Sequence, residues 1–132
     1  MSSLLMLDTN AVSAVVRGQA PSLARRLFVR GFCISVVTEA EIRFSLAHRP
    51  QKPGFRASLE RMLSTIDIRP WTSATARRYG PLRAELTRIG KPLAPLDLMI
   101  AAHTLTEGAT LITADHAFAQ VPGLALQDYE HQ

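Results

Sequence analysis

Apolar and polar positions follow two alternating rhythms along this chain. Leu4-Leu5-Met6-Leu7 is an unbroken apolar run that ends in Asp8-Thr9-Asn10. A short continuous run closed by polar residues predicts a strand buried on both faces. Cys33-Ile34-Ser35-Val36-Val37 and Thr110-Leu111-Ile112-Thr113 have the same character. Ile66-Asp67-Ile68-Arg69-Pro70 alternates, and Leu124-Ala125-Leu126 predicts a short closing strand after Val121-Pro122-Gly123.

Helical spacing fills the intervals between these runs. It predicts helices from Thr9 to Val16, from Pro21 to about Arg30 and from Thr38 to about Ala47. Others follow from Ala57 to Thr65, from Thr72 to about Ile89 and from Leu96 to about Glu107. Leu23, Leu27 and Phe28 form the apolar stripe of the second, and Leu59, Met62, Leu63 and Ile66 that of the fourth. Leu96, Ile100 and Leu105 are the expected core residues of the last. Arg17-Gly18-Gln19, Gly31, Arg49 to Gly54, Gly90-Lys91-Pro92 and Gly108 punctuate the chain, and Pro81 marks a weak point in the long helix. Strands alternating with helices imply an α/β fold. The expected architecture is a three-layer α/β/α sandwich around a parallel sheet of about four to five strands.

Composition narrows the class without changing this picture. The 132 residues are 47% hydrophobic and 20% charged, which fits one globular domain over residues 1–132. No run approaches the ~18 apolar residues of a membrane span, so no membrane role is expected. The N-terminal run lacks a basic flank and a small-residue cleavage site, so no signal peptide is expected. Cys33 is the only cysteine. It reads as a buried thiol, and a reducing cytoplasm fits.

Charge is distributed unevenly. All fifteen Lys and Arg fall in residues 1–91 against six Asp and Glu, a net +9, while residues 92–132 hold five acids and no base, a net −5. A basic N-terminal portion attracts polyanions, nucleic acid first among them. Dispersed arginines are also what an ordinary solvated surface contains, and charge alone favours that plainer reading.

Four acids stand where chemistry is usually placed. Asp8 and Asp115 follow predicted strands, Glu41 lies one turn into the helix after the second strand, and Asp97 opens the helix leading into Thr110–Thr113. Each has a purely structural explanation. Asp8 suits an N-cap, Asp97 a helix's first turn, Asp115 a turn, and Thr38-Glu39-Ala40-Glu41 matches a capping box. Parallel strands, however, bring all four to one sheet edge, where open α/β sheets bind ligands. Carboxylates gathered there repel one another unless a cation is present. Oxygen ligands of this kind suit Mg²⁺ or Mn²⁺, ions that activate water and clamp phosphates. Other chemistries lack support. There is no glycine-rich phosphate loop, no nucleophile elbow around Ser35 or Ser45, and no His/Cys cluster for zinc. His103 reads as a packed histidine rather than a ligand.

Four stretches together resemble the PIN domain, and more narrowly the VapC-type toxins of bacterial toxin–antitoxin pairs. They are Met6 to Asn10, Ile34 to Ile42, Pro95 to His103 and Thr110 to Asp115, with Val121 to Leu124 and Asp128-Tyr129 closing the chain similarly. The resemblance runs from about Leu5 to Tyr129. It implies a Mg²⁺- or Mn²⁺-dependent endoribonuclease that is silenced by a VapB-type antitoxin. It also implies a homodimer, toxin–antitoxin hetero-oligomers, and products with 5′-phosphate and 3′-hydroxyl ends. Residue by residue, Asp8 and Asp97 match the family's main metal-binding aspartates, Glu41 its glutamate and Asp115 its more variable fourth acid. Thr9, Asn10 and Thr113 match polar residues that hold the carboxylates and water. Glu39 is set aside because the motif points to Glu41, and because residues 37, 41 and 44 share a helix face from which Glu39 turns away. Ser45 stands where the family often has glycine. The expected function is therefore a cytoplasmic RNA-cleaving toxin. The rival is a PIN-like module that binds RNA or protein without cutting, and a phosphoacceptor receiver domain is disfavoured because no lysine lies beyond Lys91.

Overall fold

Five parallel strands lie in the order β3-β2-β1-β4-β5. The structure is a computed structural model that describes residues 4–129. The strands are β1 (Leu5–Leu7), β2 (Phe32–Ser35), β3 (Asp67–Arg69), β4 (Thr110–Ile112) and β5 (Leu126–Gln127). The helices are α1 (Thr9–Val16), α2 (Pro21–Val29), α3 (Val36–His48), α4 (Pro53–Thr65), α5 (Ser73–Arg88) and α6 (Pro95–Glu107). A 3₁₀ turn, His116–Gln120, separates β4 from β5.

The alternation of β1 divides the core in two. Leu5 and Leu7 face a cluster built with Ala11, Leu23, Ile42 and Leu59, from α1 to α4. Met6 faces the opposite cluster, with Leu86, Leu98, Ile100 and Ala101 from α5 and α6. This is the three-layer arrangement expected from the sequence. All three β1 side chains are buried, and each is worth roughly 1.5–3 kcal/mol of apolar burial. The chain leaves β1 toward β2 and β3, then returns to the other side of β1 for β4. The crevice between the carboxyl ends of β1 and β4 is therefore a topological switch point.

Several boundaries depart from the sequence reading, each for a local reason. Val36 and Val37 belong to α3 and not to β2, because the Ser35 hydroxyl accepts the Val37 N–H and caps the helix there. A cap outweighs the β preference of two valines. It also displaces the expected capping box at Thr38 and Glu41. α4 begins at Pro53, since a proline at the first helical position gives up only an N–H that would have no partner. α5 runs unbroken through Pro81, on an exposed face. β5 starts at Leu126, two residues late, because the turn at Gly123 bonds Leu124 N–H back to Val121. Two expected core residues are not core. Phe28 is 90% exposed, one step round α2 from half-buried Leu27, and Leu96 is 47% exposed beyond the sheet edge. Phe44 is 65% exposed, so the face it shares with Val37 and Glu41 runs outward to solvent.

Candidate active site

Asp8 sits where β1 becomes α1. Its carboxylate caps the helix, accepting the Ala11 N–H at 2.9 Å, and is only 6% exposed. Its backbone N–H joins Ile112 on β4, which places Thr113 alongside. Burial raises the Asp8 pKa, while the Thr113 and Ala11 hydrogen bonds oppose the rise and the charges of Asp115 and Glu41 add to it.

The other three acids reach the same edge from separate elements. Glu41, one and a half turns into α3, is held by the Thr9 hydroxyl at 2.7 Å. Asp115 follows β4 and caps the 3₁₀ turn through Ala117 at 2.9 Å. Its own N–H donates to Thr113 Oγ1 at 3.0 Å, so Thr113 links Asp8 to Asp115. Asp97 lies in the first turn of α6, whose start is set by Pro95. Its pKa is pushed up to about 6, first by burial and then by the charges of Glu41, Asp115 and Asp8. The sheet edge thus brings all four predicted acids within range of each other's charge.

Among the described residues no Lys or Arg side chain is paired with any of these four acids to offset the repulsion. Nor is any group of three His, Cys, Asp or Glu side chains drawn together tightly enough to hold a metal ion. The donor set itself is all carboxylate oxygen, the chemistry that suits a hard divalent cation. Of the supporting residues, Thr9 steadies Glu41 and Thr113 steadies Asp8 and Asp115. Asn10 is exposed at the edge and makes no hydrogen bond to the four acids. Glu39 is excluded structurally as well, since it pairs with Arg43 at 2.8 Å.

A second polar group lies below the edge, and no single stretch of sequence announces it. Ser35 Oγ and His103 Nδ1 are 2.7 Å apart, and both side chains are fully buried. Trp71 meets the imidazole edge-on at 5.8 Å. Glu107 Oε2 is 3.7 Å from Nε2, and Glu107 in turn binds Arg69, which also holds Asp67. Burial lowers the His103 pKa, against the pull of Glu107 and the Pro70 carbonyl. Serine, histidine and glutamate in line look like a nucleophilic triad. With the serine and histidine fully buried, they are instead a brace joining the cap of α3 to α6. Cys33 is buried beside this network, as expected, and burial pushes its thiol up to about 12.

Comparison with known proteins places the chain in a family. The family model described as PIN domain matches residues 5–124. The tRNA(fMet)-specific endonuclease VapC of Shigella flexneri is 34% identical over 128 residues, covering 94% of this chain and 96% of that protein. The crystal structure of VapBC2 from Rickettsia felis bound to a DNA fragment from their promoter superposes with a TM-score of 0.87 at 28% identity. That match covers 96% of this chain and 98% of that one. DNA-bound VapBC from Salmonella typhimurium gives 0.86 at 28% identity, over 98% and 99% of the two chains.

Proposed function

The chain belongs to the PIN-domain family and, within it, to the VapC ribonucleases, and from that premise we propose that it is a toxin endoribonuclease. It cleaves RNA phosphodiesters, and a VapB-type antitoxin neutralises it in a hetero-oligomeric complex. The observation that carries the reading is the set of four carboxylates at the β1–β4 crevice, uncompensated by any lysine or arginine of the chain. A merely structural set of acids would be paired or dispersed. Capping accounts for where Asp8 and Asp115 sit but not for Glu41 and Asp97 joining them, which the non-catalytic alternative leaves without a cause.

Asp8 and Asp97 are the residues that would hold Mg²⁺ or Mn²⁺, with Glu41 and Asp115 beside them. When bound, such an ion polarises the phosphoryl group and lowers the pKa of the attacking water. Glu41, oriented by Thr9, takes up the proton that the water gives up. The water oxygen bonds to phosphorus, the bond to the 3′ oxygen breaks, and solvent protonates the leaving alkoxide. The products carry 5′-phosphate and 3′-hydroxyl ends. Asp115, Thr113 and Asn10 order the polar rim around the reacting phosphate. The nuclease unit takes up residues 1–132 and works as a homodimer in the cytoplasm. No helix among the described residues is long and apolar enough to cross a membrane.

The relatives point to initiator tRNA as the first substrate to try. Purified protein should cleave it with Mg²⁺ or Mn²⁺ and stop when a chelator is added. Asp8→Asn should lose cleavage by about a thousandfold, the loss of several kcal/mol of transition-state stabilisation. Undiminished cleavage by the variant, or cleavage indifferent to the chelator, would overturn the assignment.

A further inference from the structure

Four carboxylates at the crevice repel the very phosphates that must reach them, so cations close to the crevice have to draw the RNA strand in. We infer that Arg17, Arg49 and Lys52 form a phosphate-binding track that leads a single RNA strand along α1 to the acidic crevice. The inference rests on the nuclease reading and adds which side chains grip the substrate outside the reacting phosphate.

Three adjoining hollows define the track, and Arg17 lines all of them. One of about 530 Å³ has Asn10 and Ala114 at one end, beside Thr9 and Asp115, and Arg17 and Gln19 at the other. A narrower one of about 120 Å³ lies between Thr9, Arg17, Arg49 and Phe55. The third, about 460 Å³, continues past Arg17 to Lys52. The path thus starts at residues flanking Asp8, Glu41 and Asp115, and ends roughly 12 Å away at the far end of the eight-residue helix α1.

The charges along this path are free, and most others are not. Arg43, Arg56, Arg69 and Arg88 are paired with carboxylates. Arg25, Arg61, Arg77 and Arg83 bond to nearby hydroxyls. Arg17, Arg49 and Lys52 are exposed, and among the described residues no acid pairs with any of them. Arg17 is also held in place, its guanidinium carbon lying 4.4 Å above the Phe55 ring. Stacking fixes the plane of the group and leaves its N–H donors for a phosphate. Thr9, Ser13, Gln19 and Gln51 add hydrogen-bonding groups along the path, beside apolar Ile42, Leu46 and Leu59 in the narrow hollow, and together with the free cations they suit a sugar–phosphate backbone. The cations also sit on the path to the crevice itself, which a protein partner docking elsewhere would not need.

The test compares two triple variants that remove the same charge. One is Arg17→Ala, Arg49→Ala, Lys52→Ala. The other is Arg61→Ala, Arg77→Ala, Arg78→Ala, at exposed positions on α4 and α5. Binding of initiator tRNA and of a mixed-sequence oligoribonucleotide is measured against salt in an Asp8→Asn background, and cleavage is measured with Asp8 intact. The first triple should bind both RNAs about tenfold or more weaker. Its slope of log affinity against log salt should fall by about 2, three single-strand contacts at ~0.7 each. Its KM should rise while kcat at saturating RNA stays within about twofold. The second triple should bind within about twofold of the parent. Unchanged binding by the first triple overturns the track, and so does an equal loss by both, which would make net charge the cause. A first triple that keeps its RNA but loses its grip on a VapB-type antitoxin assigns the groove to the protein partner and also overturns it. If binding behaves as expected but the Asp8 protein cuts no RNA, the nuclease reading fails and the track stands.

Discussion

Two groups of polar side chains, each with buried members, meet their neighbours in opposite ways. At the crevice, Asp8, Glu41, Asp97 and Asp115 face one another, with only hydroxyls and backbone N–H groups for company. Ser35, His103, Glu107, Arg69 and Asp67 instead line up as a linked chain, with Ser35 Oγ 2.7 Å from His103 Nδ1, Arg69 bound to both acids at 2.8 Å, and His103 Nε2 left without a hydrogen-bond partner 3.7 Å from Glu107. The second group pairs its acids with Arg69 and ties the cap of α3 to α6. The first has no Lys or Arg paired with it among the described residues. Proximity of reactive residue types therefore does not by itself identify a site: the triad-like group links α3 to α6, and the proposed chemistry falls to the unpaired acids.

The largest expected effect tests the open group. Asp97→Asn should lower RNA cleavage by about a thousandfold, several kcal/mol of transition-state stabilisation, with the fold kept. Single-turnover cleavage and circular dichroism check it. Asp97→Asn protein that cleaves like wild type would remove the crevice from the reaction. The closed group should respond in stability instead. His103→Ala leaves a cavity and strands the Ser35 hydroxyl, costing about 3 kcal/mol in urea unfolding. Cleavage per folded molecule should fall far less than with Asp97→Asn. Equal loss of cleavage at unchanged stability would place His103 in the chemistry and erase the contrast.

The open group was more legible in the sequence than the closed one. Asp8 could be read from a strand end and Asp97 from the proline that starts its helix, because strand ends and helix starts are marked locally. Glu41 carried a false local signal. Its match to a capping box is real in sequence, but Ser35 caps α3 and Glu41 is left to bind Thr9. The bond between Ser35 and His103 spans 68 positions, and no periodicity or spacing rule reaches that far. The basic track was hidden for a related reason. Arg17 reads as a helix breaker, and Arg49 and Lys52 read as loop residues. Only the fold lays those three segments beside α1. Strand order was likewise implicit, since alternating strands and helices imply a parallel sheet without saying that β4 returns to the far side of β1.

A divalent cation should sharpen the contrast thermally. Binding that relieves repulsion among Asp8, Glu41, Asp97 and Asp115 stabilises the native state by mass action. The gain is about 2.7 kcal/mol when free Mg²⁺ is a hundredfold above its dissociation constant. Melting in Mg²⁺ against chelator should show the shift for wild type and for Ser35→Ala, which loses only a cap and a buried bond. Asp8→Asn and Asp97→Asn should show little or none. A shift that survives both aspartate substitutions would place the cation elsewhere.

The smallest effect is a dependence on pH, and its sign follows from Asp97. An acid whose folded pKa is raised stabilises the native state while it carries its proton. Asp97 moves from an ordinary 3.8 to about 6, so the native state holds a proton across that window that the unfolded chain has released. In chelator, stability should therefore rise as pH falls from about 6.5 toward 4.5, and Asp8, also raised, acts in the same direction. The full shift would be about 3 kcal/mol, but solvent on the open side of Asp97 screens it, and about 1 kcal/mol is expected. Glu85, held low by Arg88, loses its contribution only further into acid and leaves this window clear. Asp97→Asn should flatten the profile by removing the titrating group, and Mg²⁺ should flatten it by favouring the ionised form. His103 cannot imitate the result. Its pKa is lowered, so a buried neutral imidazole loses stability as pH falls, the opposite slope. A metal-free protein that weakens steadily from pH 6.5 to 4.5 would show the closed group, and not the open one, governing stability there.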